Sequence, residues 1–223
     1  ITAQLFGEIG NATAIVDNSN TLASITNSGT LIAQITQTDS DPNDSIPPPA
    51  ITGTATAIDV SASSINVTLN QNATSPFTDD DAVDNDAAIV PAVTIIGDIR
   101  FGSGNDIFNL NAGTATGALS FGAGTDAFNI AGGAVYTGRL SDSDGQLTVN
   151  VGTGTANLTG GAANITSAKF GSGAVVTLQL AANPLNSATI VASGAVNFAN
   201  NSRLTVLAPA GLPLSAPDQT ILT

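Results

Sequence analysis

A short tandem duplication constrains what this chain can fold into. Phe101-Gly-Ser-Gly-Asn-Asp-Ile-Phe-Asn-Leu110 is followed twenty residues later by Phe121-Gly-Ala-Gly-Thr-Asp-Ala-Phe-Asn-Ile130. Upstream, Ile99 answers Leu119, and a partial third copy opens at Phe170-Gly-Ser-Gly173. Within each copy, apolar and polar residues alternate. Ile99, Phe101, Phe108 and Leu110 fall on one face of two short strands, with Arg100 and Asn109 on the other. Gly102 to Asp106 has the chemistry of a tight turn, and Gly113 to Gly117 reads as a second turn. A strand-bearing repeat of this length describes one coil of a β-solenoid, in which neighbouring coils bury a core that no single coil can bury alone. Strands stacked about 4.8 Å apart would place Phe101 over Phe121 and Phe108 over Phe128.

Composition agrees with a solenoid and excludes several alternatives. Hydrophobic residues make up 42% of the 223 positions, enough to bury a core and to argue against a disordered chain. Charged residues make up only 9%, so Thr, Ser, Asn and Gly must supply most of the polar surface. The net charge of −13, with Arg100, Arg139, Lys169 and Arg203 as the whole basic complement, makes nucleic acid and anionic membrane surfaces poor partners. The absence of Cys removes disulfide and thiol chemistry and fits a protein exported through a cell envelope. No apolar stretch is long enough to span a bilayer as a helix. The sequence shows neither a signal peptide nor an initiator Met, so the expectation is a processed piece of a longer protein.

Along the chain the strand pattern is interrupted twice. Residues 38–50 carry the run Pro47-Pro48-Pro49, which cannot donate to a sheet ladder. Residues 71–92 carry Asp79, Asp80, Asp81, Asp84 and Asp86 within eight positions. The expectation is one all-β domain over 1–223, a parallel β-helix of about nine or ten coils. Loops would be inserted at about 38–50 and 71–92.

Three chemistries can be tested against these residues. Asp106 and Asp126 close turns that resemble half of a calcium-binding nonapeptide, and the five-Asp loop is rich in the oxygen ligands that calcium takes. Calcium is therefore the candidate cofactor. The competing and favoured reading is that Asp106 and Asp126 cap turns and that the acidic loop is solvated. Asp142 and Asp144 beside Arg139 form the densest charged group on a coil, and paired carboxylates could serve as acid and base on a polysaccharide. An ordinary exposed turn is the favoured reading there too. With no His and no Cys, nucleophilic hydrolysis by the usual pairs is close to excluded. Asn-x-Thr triplets at Asn11, Asn66, Asn72, Asn157 and Asn164 read first as turn asparagines.

The unit Asn27-Ser-Gly-Thr-Leu-Ile-Ala33 resembles the repeats of autotransporter passenger domains. The coils Gly104 to Gly113 and Gly117 to Asp126 are similar to those that precede the autotransporter barrel, and the tail Pro217 to Thr223 looks like the edge that often ends a passenger. The resemblance implies a right-handed parallel β-helix secreted by the type V route and displayed at the bacterial surface. It would serve as a non-catalytic stalk with a structural or adhesive role. Its partners would be a cell-surface or extracellular-matrix ligand, or copies of itself joined end to end. The alternatives are a self-assembling fibre or S-layer-like subunit that takes calcium, and a polysaccharide-active β-helix enzyme.

Overall fold

The computed structural model describes residues 1–38, 49–74, 92–210 and 222–223. The chain is a parallel β-solenoid built from three strand-lined faces. The first sheet has eight strands: Thr2–Phe6, Thr30–Thr36, Thr94–Ile96, Thr114–Thr116, Val135–Gly138, Thr155–Leu158, Val175–Gln179 and Arg203–Leu207. The second holds Ala12–Val16, Ala55–Asp59, Asp98–Arg100, Leu119–Phe121 and Leu140–Asp142. Beyond it on the same side, Ala162–Ile165 and Thr189–Ala192 pair with each other. The third holds Ser24–Asn27, Thr68–Gln71, Ile107–Leu110, Asp126–Ile130, Leu147–Val151, Ser167–Phe170 and Val196–Phe198. The chain visits the faces in rotation, and every pairing is parallel.

The described residues complete seven turns and begin an eighth, fewer than the nine or ten expected. Each coil holds three strands rather than two. Thr114–Thr116, expected within a turn, is a strand of the first sheet. Its only inward side chain is Ala115, too slight an apolar signal to mark a strand in the sequence. Eight strands at a spacing of about 4.8 Å give a stack about 34 Å tall. The expected interruptions lie mostly outside the described residues, although Gln71 closes a strand rather than opening a loop.

The inward set is the one the alternation indicates. Ile99, Phe101, Phe108, Leu110, Leu119, Phe121, Phe128 and Ile130 are all buried. Equivalent residues stack one above the other. The Phe101 and Phe121 rings lie 4.9 Å apart and within 7° of parallel, and Phe108 and Phe128 lie 5.3 Å apart at 15°. Tyr136 occupies the inward column of the first sheet between Ala115 and Ala156, whose small side chains leave it room. Its ring meets Phe128 edge-on at 5.1 Å, and its hydroxyl reaches the Arg139 carbonyl at 2.7 Å. Burial drives the Tyr136 phenol pKa upward, so it stays neutral. The interior contains an apolar void of about 10 Å³ near Phe128, Leu140 and Val149. That is room for about one water and no ligand.

Candidate functional site

The corner between the second and third sheets collects the acidic residues that the sequence singles out. It is shaped by close backbone stacking of the turns. A Cβ on Gly102 would fall on the carbonyl oxygen of Ser63, and one on Gly122 would fall on the carbonyl oxygen of Gly102. Only glycine permits that approach. The tight turn then delivers the following Asp inward, at the start of the third-sheet strand.

Asp106 and Asp126 are 0% and 1% exposed. They occupy the same position in successive coils, because Ala127 pairs with Ile107 immediately after them. Each carboxylate accepts a hydrogen bond from the backbone of the preceding coil. Val67 N–H donates to Asp106 Oδ1 at 2.7 Å, and Asp106 N–H donates to Asp126 Oδ1 at 2.7 Å. The capping expected within a turn is therefore made between coils. The second oxygen of each, Asp106 Oδ2 and Asp126 Oδ2, is buried with no hydrogen-bond partner. Burial raises the Asp106 pKa, against the opposing N–H groups of Val67 and Gly102. Burial also pushes Asp126 up to about 6, with repulsion from Asp106, Asp142 and Asp144 adding to it.

Asp142 and Asp144 belong to the next coil. Asp142 pairs in register with Phe121, so a carboxyl group continues the phenylalanine column. Its Oδ2 accepts from Leu147 N–H at 3.0 Å, and its Oδ1 is buried without a partner. Asp144 is exposed and holds the turn, accepting from Gly124 N–H at 2.9 Å and from Gln146 N–H at 3.1 Å. Burial, then Asp144, raises the Asp142 pKa, whereas the Gly124 N–H chiefly lowers that of Asp144. Two carboxyls with pKa values pushed apart have the form of an acid–base pair. Here, however, the partnerless oxygen of Asp142 is buried, and both oxygens of Asp144 are bonded within the corner. Arg139 makes no ion pair with either; the ion pair among the described residues joins Arg100 and Asp98 at 3.6 Å. Nor is any group of three acidic side chains among the described residues placed to hold a metal ion. Asp79, Asp80, Asp81, Asp84 and Asp86 lie outside the described residues.

An asparagine ladder that no sequence motif announces runs along the outer face of the third sheet. Asn70, Asn109, Asn129 and Asn150 occupy one register position in four successive coils. From Asn109 onward, each Nδ2 donates to the Oδ1 of the coil before, at 2.8–2.9 Å. Lys169 and Asn197 continue the row. The signal is present in the duplication, where Asn109 and Asn129 are equivalent, but only the stacking register shows that they bond to each other. Four of the five Asn-x-Thr asparagines also join coils. Asn11 Oδ1 accepts from Thr54 N–H, and Asn66 Oδ1 accepts from Asn105 N–H. Asn72 Oδ1 accepts from the Asn111 amide, and the Asn157 amide donates to Thr137.

No known protein-family model matches the chain, and neither a curated protein nor a solved structure matches it. Among the described residues no helix is long and apolar enough to cross a membrane.

Proposed function

We propose that the chain is a surface-exposed or secreted β-helical stalk of the autotransporter-passenger type, non-catalytic, with a structural or adhesive role. The observation that supports this most is what becomes of the acidic candidates. Asp106, Asp126, Asp142 and Asp144 all accept backbone N–H groups that tie one coil to the next or close a turn. The interior is filled, so contact with a partner falls to the lateral faces, among them the asparagine ladder. Fold alone does not set function, and the proposal rests on this use of the side chains.

The test is incubation of the purified chain with acidic and neutral polysaccharides, followed by assay for new reducing or unsaturated ends. The stalk releases none. A cleaving activity that disappears on Asp142→Asn or Asp144→Asn would put the polysaccharide-active enzyme in its place.

A second reading, end-to-end association of copies, is favoured by the two ends of the described stack. Ile1, Phe6 and Val16 are exposed at one end, and Phe198, Leu204, Val206 and Leu207 at the other. Among the described residues, the outermost strands of the first sheet, Thr2–Phe6 and Arg203–Leu207, each pair on one side only. Such edges recruit further strands. Electron microscopy of the purified chain separates the two readings, since fibres support association and isolated short rods count against it.

A further inference from the structure

We propose that Asp106 and Asp126, inward carboxyl groups stacked at one corner of two successive coils with Asp142 beside them, hold a proton whose uptake in mildly acidic medium tightens the coil stack. The inference does not depend on the stalk reading.

The geometry carries it. Asp106 and Asp126 are stacked in register, one strand spacing of about 4.8 Å apart, inside the solenoid. Each uses one oxygen to accept a backbone N–H and leaves the other buried and bare. Asp142 stands one coil on in the Phe121 column; its Oδ2 accepts from Leu147 N–H of its own coil, and its Oδ1 is buried and bare. An ionised carboxylate with a bare buried oxygen is costly, and stacking like charges adds to the cost. A proton relieves both, because it makes the carboxyl neutral. The charges acting on Asp126 are those of Asp106, Asp142 and Asp144, all of one sign, with no cation among them. Asp144 also acts on Asp142, and Asp106 and Asp126 repel each other. Of the basic residues, Arg100 is engaged with Asp98, and Arg139 lies against Gly161. Lys169 stands in the outward asparagine row, and Arg203 lies on the last strand of the first sheet.

Asp126 titrates near 6 in the folded chain, against about 3.9 when unfolded. Between these values the folded state binds more protons, so stability rises as pH falls from about 7 toward 4. The contribution is fully present below about 4 and is lost as pH rises through 6. Asp144 shifts the other way, and its stabilisation is lost only as pH falls through its lowered folded value.

The test is thermal unfolding of the full chain by circular dichroism between pH 4.5 and 7.5, with Asp126→Asn and Asp106→Asn alongside. Either variant keeps the oxygen that accepts the N–H and replaces the bare oxygen with a neutral donor. The wild-type midpoint should rise by at least about 2–4 °C on acidification across the window. Asp126→Asn should melt above the wild type at pH 7.5 and show a smaller rise. Carboxyl-carbon NMR titration gives a readout that does not depend on the variants folding, and the Asp126 carboxyl should titrate well above the ordinary Asp range. A wild-type midpoint that stays level or falls on acidification overturns the proposal, as does an Asp126 carboxyl that titrates near 4. Calcium chloride that raises the wild-type midpoint at pH 7.5, but not that of Asp126→Asn, also overturns it, since the stacked carboxylates would then hold a cation.

Discussion

At the scale of single residues, the stack is held by side chains that meet their own equivalents one coil away. Phe128 is fully buried, with Phe108 stacked below it and Tyr136 edge-on beside it. Phe128→Ala should cost about 3–5 kcal/mol, because the cavity is walled by rigid rings that cannot collapse into it. Urea denaturation would read this as a lowered midpoint. Gly122 answers to a different constraint, the Gly102 carbonyl that occupies the space where its Cβ would go. Gly122→Ala should cost about 1–3 kcal/mol through overpacking, whereas Gly145→Ala meets no atom and is strained only by its positive φ of 76°. Comparing the two variants in one denaturation series separates crowding between coils from local backbone strain. The inward residues of the duplicated segment were legible from alternation alone. The bare oxygens of Asp106 and Asp126 were not, since a sequence shows that an Asp closes a turn but not that the turn is buried under the next coil.

At the scale of elements, the third sheet shows which features spacing reveals. Its strands at Ile107–Leu110 and Asp126–Ile130 follow from the alternation of Phe108 and Leu110, or Phe128 and Ile130, with asparagine between. The strand at Thr114–Thr116 was hidden because Ala115 is its only inward residue and the flanking threonines are common in turns. Tyr136 explains that choice, since its ring fills the space a larger residue at 115 would take. The asparagine ladder depends on register, which a single coil does not display. Asn129→Ala removes a donor to Asn109 and an acceptor from Asn150. At this half-buried position the cost should be about 1–2 kcal/mol, because water can replace part of each bond. Equilibrium denaturation of Asn129→Ala should show a small midpoint shift with an unchanged slope, and a loss as large as that of Phe128→Ala would mean the ladder governs the fold.

At the scale of the molecule, the described residues form one parallel stack whose coils advance by a fixed step. The chain lacks cysteine, so introduced cysteines can be labelled without background. Thr30 and Val175 lie in one outward column of the first sheet, linked through Thr94, Thr114, Val135 and Thr155. Five steps of about 4.8 Å place their backbones about 24 Å apart. The most direct measurement is the distance between spin labels on Thr30→Cys and Val175→Cys by pulsed electron paramagnetic resonance. One narrow distribution centred at about 24 Å, widened only by the label arms, is expected. A broad distribution, or a mean far from that value, would contradict the solenoid.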